Sequence, residues 1–225
     1  MLGNAAKDSH YLKRIKDATA DMPEHPRHFG VLMQAHHIIS AEGVKRSGLG
    51  KELAQFGYDI NLLPNLVFIP STLQGACHLG VQPHRGNHTA LLEADEGDDD
   101  SQHPLTYHDM VKTRVAELEH LLTDNCPAED PDRRKKIKHK MDAVSKSILA
   151  LIQKAPGRAP LTRVAMPFMS GHLDGCSGVD SVSARSRVKN PCPVGRDHNM
   201  KQGPGQKSEG IKYRRVAEFS LMVGR

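Results

Sequence analysis

Between Met33 and Glu93 the chain carries five histidines, four of them as two pairs: the adjacent His36-His37, and His84 and His88 four residues apart. The two spacings ask for different local structures. Phe29, Val31, Met33 and Ala35 alternate with other residues as a strand does, and the strand runs into His36-His37, whose rings should point to opposite sides. His84 to Glu93 reads as the opening of a helix, where residues four apart stack on one face. A fold that brings both pairs to one point must therefore join a strand to a helix.

At 225 residues there is room for one domain with appendages, or for a small domain plus a second. Hydrophobic content is 38% with no Trp and 4% aromatics, so the core must be mostly aliphatic. No run approaches the roughly 18 apolar residues of a membrane span. Met1 to Asp21 is charged throughout and has no apolar signal core, so a soluble protein without a conventional secretion signal is expected. From Leu161 to Arg225, 11 Lys and Arg stand against 5 Asp and Glu, while the net charge of the whole chain is only +5. A basic tail suits a polyanion, nucleic acid first, or is simply solvated. Cys77, Cys126, Cys176 and Cys192 form no CxxC and read as mainly reduced.

Along the chain, residues 1–22 read as a helix with the stripe Tyr11, Leu12, Ile15 and Ala18, ended by Pro23 and Pro26. Gly43, Gly48 and Gly50 bracket a loop, Lys51 to Phe56 makes a short helix closed by Gly57, and Leu66 to Ile69 is an apolar strand stopped by Pro70. A loop with Gly75 and Gly80 follows. Glu93 to Ser101 is an acidic, solvated connection. Tyr107 to Thr123 forms a helix on Val111, Val115, Leu118 and Leu122. Asp130-Pro131 caps a second, reaching about Lys154 on the stripe Ile137, Met141, Val144, Ile148 and Ile152. Residues 170–210 are rich in Gly, Ser, Pro and Asn and have no sustained period, and Ile211 to Val223 reads as a short strand or hairpin arm.

Neutral imidazoles suit divalent transition metals, and three of them leave positions open for water or substrate. Two histidines four apart on a helix reach one ion together, and a histidine at a strand end can supply the third ligand. Each pair is weak evidence in a chain with fourteen histidines, but their ordered combination with an intervening asparagine is more specific.

That order, Ala35-His36-His37-Ile38-Ile39, then Asp59-Ile60-Asn61 and Asn65-Leu66-Val67-Phe68-Ile69-Pro70, then His84-x-x-x-His88, resembles the AHH branch of the HNH/endonuclease VII nucleases. The likeness covers residues 34–93 and implies a ββα-metal (His-Me finger) core, here set in a mostly helical α+β body with an irregular basic C-terminal segment. It implies that His36, His84 and His88 hold one divalent ion, Mg²⁺ or Zn²⁺ with Mn²⁺ and Ni²⁺ as alternatives. It implies that His37 is the general base, and that Asn65 bonds the His37 ring or its turn. Arg85 is a candidate phosphate contact.

Two departures stand out. The gap from Asn65 to His84 is longer than in the compact colicin pattern, and Leu66 replaces the glycine that often follows the asparagine. The alternative assignment makes Asn61 the orienting residue, with Asp59 supporting a ligand. His172, Cys176, Cys192 and His198 form a second candidate set, for a structural zinc ion.

The resulting expectation is a largely nonspecific DNA endonuclease acting as an antibacterial toxin or secreted effector. It would be made in the producer's cytoplasm, beside a cognate immunity protein, and delivered into the target-cell cytoplasm with no membrane partner, with a secretion-apparatus carrier as a further partner. The expected divisions are an N-terminal helical segment (1–28), a nuclease domain with bracing helices (29–155) and a C-terminal extension (156–225). The rivals are an RNase, a phage or restriction HNH nuclease, and a non-catalytic zinc-stabilised nucleic-acid-binding module.

Overall fold

The computed structural model describes residues 10–84, 105–123, 130–162, 210–214 and 219–225. His88, Arg85 and the His172/Cys176/Cys192/His198 set lie outside these residues, as does the acidic stretch 93–101.

Helix α1 (His10–Ala20) leads through a short 3-10 turn (Pro26–Phe29) into strand β1 (Met33–His37). The strand is shorter than the alternation predicts. Pro26 starts the 3-10 turn and Gly30, at φ 86°, ends it, so Phe29 is excluded from the strand. Helices α2 (Ala41–Ser47) and α3 (Gly50–Gln55) follow, then strand β2 (Leu66–Pro70) and helix α4 (Leu73–Leu79).

Two segments expected to be loops, around Gly43 and Gly75, are thus helices. In both, a hydroxyl caps the first turn: Ser40 Oγ accepts from Gly43 N, and Thr72 Oγ1 accepts from Gly75 N. The glycines answer to packing rather than to loop conformation. A Cβ on Gly43 would overlap the Val111 side chain, and one on Gly75 would press on Val31 and Pro70 at 3.1 and 3.2 Å.

The predicted helix 107–123 is two helices, α5 (Leu105–Ala116) and α6 (Glu119–Thr123). The second predicted helix is α7 (Pro131–Lys154), with Asp130 as N-cap and Ile137, Met141, Ile148 and Ile152 buried along its stripe. Among the described residues, no helix is long and apolar enough to cross a membrane.

β1 and β2 pair antiparallel, with His36 opposite Val67 and His37 opposite Leu66. Alternation along β2 splits the interior in two. Val67 and Ile69 join the main core with Val44, Tyr107, Val111, Met141 and Ile148, whereas Leu66 and Phe68 pack with Ile15 of α1. Cross-strand partners share a face, so His36 goes with the main core and His37 with the α1 side. The result is a small two-stranded sheet set in a mostly helical body, the α+β class expected of a ββα-metal core.

The last residues of the chain hydrogen-bond to β2 without forming a strand, and the described parts of the expected arm 211–223 are not strand either. Gly224 N donates to Leu66 O and Phe68 N donates to Arg225 O, on the backbone of β2. Gln153 of α7 holds the same segment, accepting from Leu221 N and donating to Phe219 O.

Candidate functional site

β1 ends where its two histidines diverge. His36 is 1% exposed, and its Nε2 lies 2.9 Å from the hydroxyl of Tyr107 on α5. That hydroxyl donates its proton to the Ile38 carbonyl at 2.6 Å, and a carbonyl can only accept. The Tyr107 oxygen therefore accepts from His36, which makes Nε2 the protonated nitrogen and leaves the lone pair of the neutral ring on Nδ1.

His84 reaches the same place from beyond β2. Its backbone N donates to Pro70 O, at the end of β2 that pairs with Met33. Its ring packs edge-on against His36, with centroids 4.6 Å apart. Burial, and repulsion from His37 whenever that ring is protonated, push the His84 pKa down to about 3. His84 is thus a neutral nitrogen donor throughout the physiological range.

Among the described residues, no group of three or more His, Cys, Asp or Glu is placed to hold a metal. The two that do meet, His36 and His84, form a donor set that fits a divalent transition metal: imidazoles, buried, in contact and closed off by a tyrosine.

On the other face of β1, His37 Nε2 lies 2.9 Å from Asn61 Oδ1, and the Tyr11 ring of α1 packs 4.6 Å away at a tilt of 59°. Asn61 is itself held on two sides. Its N–H donates to Asp59 Oδ1, and its carbonyl accepts from the Arg14 guanidinium of α1 at 2.9 Å. Asn61 is fully buried, and its Nδ2 has no hydrogen-bond partner among the described residues.

Asn65 does something different. Its Oδ1 accepts from Ile39 N (2.7 Å) and from Ser145 Oγ of α7, while its Nδ2 donates to Ile39 O and Ile60 O. Its own carbonyl accepts from Ile38 N. Every polar atom of this buried amide is spent on clamping the turn after His37 to the turn before β2. It is the turn, and not the ring of His37, that Asn65 touches.

Asn61 was legible in the sequence only as the alternative to Asn65, and Tyr107, Tyr11, Arg14 and Ser145 carried no signal of a role at the site. Tyr11 read there as a member of a helical apolar stripe, and Tyr107 as the first residue of a helix. Cys77 and His78, which fall in the long gap before His84, are on α4: Cys77 is buried, and His78 Nε2 meets Tyr213 O at 2.8 Å.

The family model described as a nuclease family of the HNH/ENDO VII superfamily with conserved AHH matches residues 19–148, more than half the chain. Its conserved triplet stands here as Ala35-His36-His37, the last three residues of β1. No curated protein and no solved structure matches the chain.

Proposed function

This chain belongs to the AHH nuclease family of the HNH/ENDO VII superfamily and is a metal-dependent endonuclease of the bacterial toxin and effector type, and we propose that it hydrolyses DNA with little sequence preference. Held as an N–H donor to Asn61 Oδ1, the His37 ring carries its lone pair on Nδ1. That nitrogen takes the proton from a water molecule as the water oxygen bonds to phosphorus. The bond from phosphorus to the leaving ester oxygen breaks, and that oxygen takes a proton from solvent. Asn61 keeps the ring in one tautomer and orientation, and Asn65 fixes the turn on which the ring stands.

His36 and His84, with His88, would hold one divalent ion, and Arg85 would add a phosphate contact. When bound, the ion supplies Lewis-acid stabilisation of charge on the phosphate and on the leaving oxygen. Imidazole donors favour Zn²⁺ or Ni²⁺ over Mg²⁺. The nuclease domain of this reading spans 29–155, between a helical N-terminal segment (1–28) and a C-terminal extension (156–225). A cognate immunity protein, a secretion carrier and delivery into the target-cell cytoplasm belong to the same reading.

The observation that carries it is the divergence of two adjacent rings from one strand, one packed on His84 and the other held by Asn61. The test is plasmid nicking with and without divalent metal, with total RNA digested in parallel. His37→Ala should abolish nicking while metal content persists, and undiminished nicking by that variant refutes the assignment of the base. Faster loss of RNA than of plasmid refutes DNA as the substrate.

A further inference from the structure

The matched family region begins at residue 19, yet two side chains that bear on His37 and Asn61 come from earlier in the chain. Both are on α1. Tyr11 lays its ring against the His37 imidazole at 4.6 Å, and Arg14, three residues on and so on the same helical face, donates to the Asn61 carbonyl at 2.9 Å. Ile15, one turn on from Tyr11, seats the helix on Leu66 and Phe68 of β2.

We propose that α1 is a working part of the catalytic centre rather than an appended segment, with Tyr11 and Arg14 as positioning residues for the base. The inference rests on the reading of His37 as that base.

The physical case is one of degrees of freedom. An imidazole at a strand end turns about two side-chain torsions, and a hydrogen bond such as that to Asn61 Oδ1 fixes the direction of Nε2 without by itself fixing the plane of the ring. A tilted aromatic ring at 4.6 Å removes that remaining freedom by packing. The bond to Asn61 orients His37 only if Asn61 stays in place. Its N–H is tied to Asp59, two residues away on the same turn, so this contact moves with the turn. Arg14 ties the carbonyl to a separate element, one that is anchored on β2. Tyr11 thus acts on the ring directly, and Arg14 acts through Asn61.

Single-turnover cleavage of plasmid by the full chain tests this, with Tyr11→Leu, Tyr11→Phe, Arg14→Ala and Arg14→Lys beside His37→Ala. Tyr11→Leu and Arg14→Ala should each lower the saturating cleavage rate by about tenfold to a hundredfold, the scale set by misplacing a reacting group. The DNA concentration for half-saturation should not change. Phe at 11 keeps the ring and should restore the rate, and Lys at 14 keeps a donor and should restore part of it.

A readout independent of turnover is the long-range ¹H–¹⁵N spectrum of the histidines in the metal-free protein. The wild type should show His37 as a single Nε2–H tautomer, and Tyr11→Leu and Arg14→Ala should show a mixture. Thermal melts identify any variant that is merely unfolded, and because Arg14→Ala removes no buried ring it keeps the test standing if Tyr11→Leu does not fold.

Wild-type rates in Tyr11→Leu and Arg14→Ala beside an inactive His37→Ala overturn the role of α1 alone. Full activity in His37→Ala overturns the base itself. An effect confined to half-saturation makes these residues DNA contacts and overturns positioning, as does a Phe variant as slow as Leu.

Discussion

The hydroxyl of Tyr107 stands between His36 and the backbone, 2.9 Å from the ring Nε2 and 2.6 Å from the Ile38 carbonyl to which it donates. One residue on α5 therefore selects which nitrogen of His36 has a lone pair to offer a cation. Tyr107→Phe removes this selection and strands the Ile38 carbonyl without its donor. Metal affinity, measured by titration calorimetry, should fall by about tenfold to a hundredfold, the usual cost of losing such a partner. Stability should drop by about 1–3 kcal/mol for the stranded acceptor. Unchanged affinity would show that the hydroxyl does not set the tautomer.

The two asparagines should separate cleanly. Asn65→Ala deletes four side-chain hydrogen bonds inside a buried turn and leaves Ile39 N, Ile39 O and Ile60 O unsatisfied. Chemical denaturation should show a loss of about 3 kcal/mol or more. Asn61→Ala removes one side-chain bond to a half-buried ring and should cost about 1 kcal/mol or less in stability while losing most of the cleavage rate. The reverse pattern would exchange their roles.

Gly43 lies where α2 packs closely on Val111 of α5. Gly43→Ala drives a methyl into Val111 and should destabilise the fold by about 1–3 kcal/mol, against the usual helix preference for alanine. Adding Val111→Ala should recover part of that loss, so the double variant is more stable than the two single losses summed. Additive losses in urea denaturation would mean the two sites do not touch.

Acid should weaken the metal-free protein within a defined window. Burial, aided by the charges of His28, Arg27 and Arg225, lowers His25 to about 4, and burial lowers His84 to about 3. Both are neutral in the folded state, while in the unfolded chain they bind protons near their ordinary value of about 6.5. As pH falls below about 6.5, the unfolded state takes up protons that the folded state refuses. Stability therefore declines by up to about 1.4 kcal/mol per pH unit for each ring and is insensitive to these groups above that value. His25 lies against Phe68, away from the His36–His84 pair, so His25→Gln should flatten the decline between about pH 6.5 and about pH 4 without touching metal binding. An unchanged slope in urea midpoints would remove His25 from the account.

Much of the architecture was legible where the signal is local. Asp130-Pro131 announces α7, and its four-and-three spacing names Ile137, Met141, Ile148 and Ile152, which are buried, and Val144, which is half-buried. Alternation at the end of β1 sends His36 and His37 to opposite faces. The helices α2 and α4 were not legible, because glycines chosen for close packing against Val111, Val31 and Pro70 look like loop glycines until the neighbours are known. The split of α5 from α6 was hidden for a similar reason, since Val111, Val115 and Leu118 keep a helical period across the break.

By itself, then, the sequence determined the elements with a clear period or cap and the order of the chemical groups, since periodicity and capping act over three or four residues. It set two imidazoles side by side on a strand and placed two asparagines before the next. Which asparagine holds the ring, and that tyrosines from α1 and α5 flank the two histidines, was decided only by tertiary structure. His36 and Tyr107 are 71 residues apart in the chain, and His37 and Asn61 are 24 apart. Contacts at such separations depend on how buried faces pack, and no local pattern encodes them.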